Sequence, residues 1–395
     1  MKEPVKKTRG RAVAAGCIVA AGFLIVSTVL AVNFGGGNPA RSDFIEYWAA
    51  EQQLIHHANP YSAPEVMQLQ RVQGFAHGRP EFWYCPPPDL FLAMPLGFVS
   101  AKAGHILWVL IQFAGLSISL ALIWRLHGKP DTLLHLAGFL FAPALVCLEA
   151  GQISILFLFG VVLFLTLHKS WPLLAGMALV PCTLKPHLFL PFAVALVLWV
   201  ISRKVYRILI GFFLTLLAGS AFTYNFDPHA WAHYSQMMKA EGMLNEFVPT
   251  LSESFRYLID RDAVWLQFIP VTAGSIWAIW YFWSRRNDWS WMDHGMVLLL
   301  VSALCRPYGW FFDEAMLLPA VLTGAFRAQQ AGRSLLPVAL VGSVALIEFI
   351  NSALVTSVAY MWTAPAWLAC YLLATNPSNA ASGVPTTARA EATNT

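Results

Sequence analysis

The chain has 395 residues, of which 57% are hydrophobic and only 12% are charged, and its formal net charge is +4. A soluble protein carries roughly twice this fraction of charged residues, so the composition indicates an integral membrane protein. The small net charge gives no support to nucleic-acid binding, and no glycine-rich nucleotide motif stands between a strand and a helix. The six cysteines have no paired spacing, which favours neither a metal centre nor a disulfide framework.

The N-terminus combines a basic segment, Met1–Arg11, with an apolar run over Ala12–Val32. The apolar core of a cleaved signal peptide usually spans about 7–15 residues, and this run is longer. We therefore expect a retained membrane span. Cleavage of a signal peptide after Val29-Leu30-Ala31 is the alternative.

Further apolar segments follow and predict about twelve spans in all. We expect these near residues 13–32, 104–124, 132–148, 153–167, 171–184, 187–201, 206–224, 263–283, 294–305, 315–326, 335–350 and 355–374. Basic residues cluster in alternate connections, which the positive-inside rule assigns to the cytoplasm of an inner-membrane protein. The predicted fold class is an all-α polytopic membrane protein with one transmembrane domain over 1–375. The polar tail, 376–395, is expected to be disordered and cytoplasmic.

Long connections on the opposite side predict two large outer loops, over 33–103 and 225–262. In the first loop, Asp43 directly precedes an apolar helical segment, Phe44–Leu54. Asp43 has two interpretations, as the N-cap of this helix or as a general base in an aromatic-lined cleft. Glu46 and Glu51 are expected to be solvated residues of an amphipathic interfacial helix.

The second outer loop begins with Asp227-Pro228, which predicts a helix start. His229 and His233 then stand four residues apart, a spacing that suits one face of a helix and a metal site. No third ligand lies nearby in the sequence, so we predict no cofactor and find no support for a divalent metal.

Eight short motifs together resemble glycosyltransferase family 87, over residues 41 to about 320. They are Asp43-Phe44-x-x-Tyr47, Asn59-Pro60-Tyr61, Tyr84-x-Pro86, Pro95-Leu96, Gly151-Gln152, Ala175-Gly176, Leu184-Lys185-Pro186 and Asp313-x-x-x-Leu317-Leu318-Pro319. The family belongs to the GT-C superfamily of multispan enzymes, which includes mannosyl- and arabinofuranosyltransferases. The resemblance implies a GT-C-type fold and an inverting glycosyltransferase. It also implies a polyprenyl-phosphate sugar donor and a glycolipid or glycan acceptor, with chemistry on the extracytoplasmic face.

The resemblance implies further that Asp43 is the catalytic base. The leaving phosphate would need cations, since a phosphate in a low-dielectric cleft must be paired. The candidates for binding donor phosphate or substrate are Lys185, His187, Arg256, Arg306, Asp313, Gln152, Tyr47 and Tyr84. The family commonly has a Pro-His pair before the last motif, whereas this chain has Pro307-Tyr308.

Structural interpretations of these candidates stay open. Lys185 alternatively extends its ammonium to the membrane interface, and His187 alternatively is an ordinary buried histidine. Gln152 binds either a neighbouring loop or a sugar. Two structural ion pairs are also possible alternatives: Arg256 with Glu253, and Arg306 with Asp313.

A secondary transporter is the main rival function, because about twelve spans is also a common transporter count. Transporters place ionisable residues near the middle of the bilayer, whereas here they fall mostly at the ends of apolar segments. Another envelope-glycan ligase or polymerase is the second rival. The pattern favours the glycosyltransferase over both.

Overall fold

The computed structural model of the protein describes residues 38–241, 248, 250–350 and 358–375. Throughout these residues the chain forms helices and helical turns without a β-strand, which confirms the all-α fold class. The predicted first span, 13–32, and the predicted tail, 376–395, lie outside the described residues.

The described α-helices follow the chain in this order: α1 (Phe44–Ile55), α2 (Ala63–Val72), α3 (Ala101–Leu126), α4 (Ala142–Ala150), α5 (Ser154–Leu167), α6 (Pro172–Ala178), α7 (Leu190–Arg203), α8 (Arg207–Phe226), α9 (Ala230–Glu241), α10 (Leu251–Ile259), α11 (Ile269–Arg285), α12 (Met296–Cys305), α13 (Leu318–Gln330), α14 (Leu336–Ile350) and α15 (Thr363–Thr375). Short 3₁₀ helices occupy many of the connections.

Two of the described helices, α3 and α8, are long and apolar enough to cross a membrane by themselves. The remaining apolar helices are shorter, among them α5, α7 and α14. These apolar helices agree with the predicted membrane class, and the number of twelve spans stays a prediction.

Several predicted spans are interrupted helices. Residues 132–148 divide into a 3₁₀ helix, Leu134–Leu140, and α4, because Phe141 between them is extended. In the 315–326 region a 3₁₀ helix, Phe311–Leu317, precedes α13. Both later helices carry a proline in their first turn, which lacks the N–H that would continue the preceding helical hydrogen bonds. Proline position therefore explains why apolar length overestimates helix length here.

Two compact units make up the described chain, and the first contains residues 38–118, 147–156 and 212–241. Within it, α1 packs against α2 and against the 3₁₀ helix Met94–Phe98. A Cβ atom at Gly97 would lie 2.7 Å from the carbonyl oxygen of Glu51, so only glycine permits this close approach. The first unit thereby surrounds the helix that follows Asp43.

The burial of α1 overturns one prediction. Glu51 was expected to be solvated, but its side chain is fully buried, and neither carboxylate oxygen has a hydrogen-bond partner among the described residues. Burial raises the pKa of Glu51 well above its ordinary value. The prediction was wrong because α1 buries most of its circumference instead of one apolar stripe.

The second unit contains residues 119–146 and 157–211 and the described residues from 248 onward. In this unit α7 packs against α11 and α12, and α13 packs against α15. The 3₁₀ helix Phe311–Leu317 is buried along its whole length, including both acidic residues, Asp313 and Glu314. Each of these two buried carboxylates forms an ion pair with a basic side chain, and the two ion pairs form the polar cluster of the unit.

Candidate functional site

Asp43 stands at the N-cap position of α1, yet its side chain makes no capping hydrogen bond. Its carboxylate oxygen Oδ2 instead accepts a hydrogen bond of 2.6 Å from Nε2 of Gln152. The hydroxyl of Ser42 accepts the hydrogen bond from the N–H of Phe44 at 3.2 Å. The half-buried carboxylate of Asp43 is therefore directed towards the 149–152 turn and away from the helix terminus.

The side chain of Gln152 is held in one orientation. The hydroxyl of Tyr47 donates to Oε1 of Gln152 at 3.1 Å, which leaves Nε2 to donate to Asp43. Burial raises the pKa of Tyr47 well above its ordinary value, so the hydroxyl remains a donor at physiological pH. Gln112 donates to the backbone carbonyl of Gln152. Three predicted candidates, Asp43, Tyr47 and Gln152, thus form one hydrogen-bonded group.

A tight turn at Gly151 brings Gln152 to Asp43. The backbone N–H of Asp43 donates to the carbonyl of Ala150 at 2.9 Å. Gly151 has φ of +71°, and a Cβ atom there would lie 2.5 Å from Oγ of Ser42. Both features favour glycine. The indole of Trp108 donates to the carbonyl of Gly151 at 2.7 Å and fixes the turn from its other side.

The aromatic residues around this group differ in how deeply they are buried. Trp48 and Trp83 are buried, and each residue is 5% exposed. The ring of Trp83 contacts that of Tyr47 edge-on at 5.2 Å. Tyr84 is half-buried, and burial is the main cause that raises its pKa to about 12. Tyr84 is therefore a neutral hydroxyl beside the same segment.

In the second unit, Lys185 and Asp313 form an ion pair. Nζ of Lys185 lies 2.9 Å from Oδ1 of Asp313, and the N–H of Trp310 donates to Oδ2 at 2.9 Å. Nζ also lies 4.9 Å from the centre of the Phe312 ring. The ammonium of Lys185 is thus bound to the protein, which is more than an extension of the side chain to the interface.

Arg306 pairs with Glu314, a residue that the sequence analysis did not select. Nη2 of Arg306 lies 3.0 Å from Oε1 of Glu314, which also accepts a 2.9 Å hydrogen bond from Thr363. Burial raises the pKa of Glu314, while Arg306 acts in the opposite direction. Nε and Nη1 of Arg306 are buried without a hydrogen-bond partner among the described residues. The guanidinium therefore retains two directed donors.

Two further candidates, His187 and Arg256, have different surroundings. His187 lies in the 3₁₀ turn Pro186–Leu188, and its ring meets that of Tyr308 edge-on at 5.7 Å. Its Nε2 atom is buried without a partner within the described part of the chain. Arg256 donates to the carbonyl of Arg261 at 2.7 Å and to Oε1 of Gln267 at 2.9 Å. Arg256 thereby ties together the segment that follows α10.

Asp227 holds both histidines of the pair His229 and His233. Its Oδ1 atom accepts the N–H of His229 at 2.9 Å, and its Oδ2 atom lies 2.8 Å from Nδ1 of His233. The described residues contain no group of three His, Cys, Asp or Glu side chains arranged to hold a metal ion. Asp227 accordingly acts as a capping residue for α9.

The described residues form an all-α fold with two polar clusters, one at Asp43 and one at Asp313. The model of glycosyltransferase family 87 matches residues 82–307, which is more than half of the chain. The protein therefore belongs to glycosyltransferase family 87 and is a glycosyltransferase, as the sequence motifs indicated. No curated protein and no solved structure matches the chain.

Proposed function

We propose that this glycosyltransferase moves a mannose-like or arabinofuranose sugar from a polyprenyl-phosphate donor to a lipid or glycan acceptor. The reaction takes place on the extracytoplasmic face of the inner membrane and inverts the anomeric configuration. The observation that carries the proposal is the carboxylate of Asp43, which is oriented by Gln152 and makes no capping hydrogen bond. Family membership supplies the reaction class.

The proposed step is a single displacement. Asp43 takes the proton of an acceptor hydroxyl, and the acceptor oxygen attacks the anomeric carbon from the face opposite the phosphate. The bond between the anomeric carbon and the phosphate oxygen breaks, and polyprenyl phosphate leaves with the bonding electron pair. The proton on Asp43 then passes to water or to the phosphate. The donor is already activated by its phosphate, so the step needs no nucleotide.

Gln152 suits a positioning role in this step. Its amide is fixed by Tyr47 at one end and donates to Asp43 at the other. A general base must meet the acceptor hydroxyl within hydrogen-bond reach, so a fixed carboxylate reduces the search for a productive geometry. The turn is held in place because Asp43 donates to the carbonyl of Ala150 and Trp108 donates to the carbonyl of Gly151.

We propose that Arg306 is the main group that binds the donor phosphate and that Lys185 contributes to this binding. Arg306 is 3% exposed and keeps Nε and Nη1 without protein acceptors in the described residues. A planar guanidinium with two adjacent donors matches two phosphate oxygens. The side chain of Lys185 is 19% exposed, and its ammonium forms an ion pair with Asp313. His187 and Tyr308 border this cluster as further substrate contacts.

Asp43→Asn tests the proposed base. The side chain keeps its size and can still accept a hydrogen bond from Gln152, but it cannot take a proton at neutral pH. A general base contributes about 10²–10⁴-fold, so turnover should fall by a factor in that range. The measurement is transfer of radiolabelled sugar from polyprenyl phosphate to extracted lipid acceptors in membranes, with the thermal unfolding midpoint recorded in parallel.

Glu46→Gln is the comparison variant, because Glu46 is a half-buried carboxylate three residues further along α1 and its side chain is hydrogen-bonded to that of Tyr47. It should retain more than about a tenth of wild-type turnover. Normal folding and near-normal turnover of the Asp43 variant would refute the assignment. A larger loss in the Glu46 variant than in the Asp43 variant would move the base to Glu46.

A further inference from the structure

Helix α10 is inverted relative to an ordinary surface helix of a soluble protein. Leu258 is 85% exposed, and the other exposed apolar side chains of α10 are Leu251, Phe255 and Ile259. Its buried residues are the polar Ser252, Glu253 and Arg256. A helix in water normally directs its apolar stripe to the core and its polar residues outwards. The outward face of α10 is therefore suited to an apolar surrounding.

Hydrogen bonds fix this orientation. Oγ of Ser252 donates to the carbonyl of Cys305 at 3.2 Å, and Arg256 donates to Oε1 of Gln267 at 2.9 Å. At the start of the helix, Oγ1 of Thr250 accepts the N–H of Glu253 at 3.1 Å as an N-cap. Rotation of the apolar face inwards would break these bonds and leave buried polar groups unpaired.

The exposed apolar face of α10 continues along the chain. Trp265 is 66% exposed and Phe268 is 41% exposed in the 3₁₀ helix Val264–Phe268. On α11, Ile276 is 63% exposed and Trp280 is 64% exposed. Scattered apolar side chains are normal on any surface, but a run over two helices and their connection marks an interaction surface.

Charged residues border this face at the C-terminal end of α10. Asp260, Arg261 and Asp262 are exposed there. The guanidinium of Arg261 lies over the ring of Tyr257 at 4.5 Å from the ring centre. An apolar face bordered by charged and aromatic side chains is the arrangement of a helix lying at a bilayer surface.

We propose that α10 lies in the interfacial layer of the membrane, with its apolar face in contact with lipid acyl chains and Arg261 at the level of the headgroups. Lipid is the partner of this face, because the face is continuous with the exposed apolar side of α11 and the protein resides in a membrane. This inference requires membrane residence alone and is independent of the proposed donor and acceptor.

Membrane contact then bears on the Arg306 segment. Ser252 bonds the carbonyl of Cys305, and Thr250 reaches the carbonyl of Pro307 at 3.5 Å. These two carbonyls flank Arg306 in sequence. The lipid surface thus holds a helix that is itself hydrogen-bonded to the backbone on both sides of this arginine.

A bimane label at Leu258→Cys tests the inference in the full-length protein, reconstituted in phosphatidylcholine vesicles. Lipids brominated along their acyl chains should quench the label to an extent similar to a label at Ile276→Cys on α11. A label at Glu65→Cys, an exposed polar position on α2, should be quenched far less. Wild-type protein taken through the same labelling provides the background from the native cysteines.

Absence of quenching at Leu258→Cys, with Ile276→Cys quenched, would overturn the proposal. Disulfide-linked dimers of the Leu258 variant would identify a second copy as the occupant instead. Cross-linking between residue 258 and residues 12–32 would identify the N-terminal segment. Should the Leu258 variant fail to fold, Phe255→Cys on the same exposed face supplies the same measurement with the same outcomes.

Discussion

The cations of Lys185 and Arg306 differ in how completely the protein neutralises them. Lys185 has an ion pair with Asp313, a carboxylate that is 0% exposed. Arg306 is bound through Nη2 alone, with two further nitrogens buried and unpartnered among the described residues. An unpaired buried donor on a charged group costs more free energy than a neutral one. An anion at Arg306 would offset this cost, so Arg306 is expected to contribute more to donor binding than Lys185.

The double substitution Arg306→Gln with Glu314→Gln tests this ranking. It replaces a buried ion pair with two neutral amides of similar size, which protects the fold from an unpaired buried charge. The apparent KM for the donor should rise about 10- to 100-fold, because hydrogen bonds to charged groups contribute about 1.5–3 kcal/mol. The KM for the acceptor should change little. Steady-state kinetics with each substrate varied in turn make the measurement.

Arg207→Ala is the control, because Arg207 is an exposed arginine at the start of α8. It should leave both KM values unchanged. An unaltered donor KM in the folded double variant would show that Arg306 is structural. The donor phosphate would then have to be sought elsewhere.

At the scale of the element, α1 begins after the proposed base, Asp43, and most of its length is buried. Its first turn follows Asp43, and the helix packs on α2 and on the Met94–Phe98 turn. Glu51 lies within this packed part, with no polar partner for either carboxylate oxygen in the described structure. Burial favours the protonated form of such a carboxyl group. Ionisation of Glu51 would therefore destabilise the folded protein.

The raised pKa of Glu51 makes a stability prediction with a definite sign. The folded protein retains a proton that the unfolded chain releases above its ordinary pKa of about 4.3. Glu51 therefore lowers stability progressively as the pH rises above that value, until its folded-state pKa is passed. In Glu51→Gln this loss is absent, so the advantage of the variant over wild type should grow between pH 5 and pH 8.

Thermal unfolding in detergent across this pH range measures the effect, with Glu65→Gln as the control. Glu65 is an exposed carboxylate on α2, so its variant controls for the removal of a negative charge at the surface. A Glu51 variant that is less stable than wild type at pH 8 would contradict the prediction. It would mean that Glu51 is ionised and paired in the folded protein.

For the whole molecule, orientation in the membrane is the main prediction. Basic residues cluster in alternate connections, and the candidate site residues fall in the others. The asymmetry of Lys and Arg between loops sets the orientation of polytopic proteins. The first outer loop, with Asp43 and α2, is therefore expected outside the cytoplasm, and the end of α11 inside it.

Cysteine labelling in intact cells tests this orientation. Glu65→Cys on α2 should react with a membrane-impermeant thiol reagent, whereas Ser284→Cys at the end of α11 should react only after the membrane is opened. Both positions are exposed, so the difference reports sidedness and not burial. The native Cys85 is 1% exposed and is replaced in both variants to remove background. The reverse labelling pattern would refute extracytoplasmic chemistry.

The sequence by itself determined the all-α architecture and the family, and it predicted the membrane class and Asp43 as the base. These properties are written in continuous stretches: hydropathy over a span, or a motif of a few neighbouring residues. Prediction of helix boundaries from the local sequence was least accurate near prolines, for example in the 132–148 region. The local sequence also misplaced Glu51, because a helix surrounded by protein lacks the one-sided contrast that the amphipathic pattern assumes.

Only the tertiary structure decided which polar groups meet. Gln152 lies 109 residues from Asp43 in the chain, and Asp313 lies 128 residues from Lys185. Glu314 has no local signal beyond its acidic neighbour, yet it binds Arg306. Hydrogen bonds and ion pairs act over about 3–4 Å, so their partners depend on how distant segments pack. For the same reason the outward direction of the apolar face of α10 follows from the hydrogen bonds beneath it, and its composition alone does not fix it.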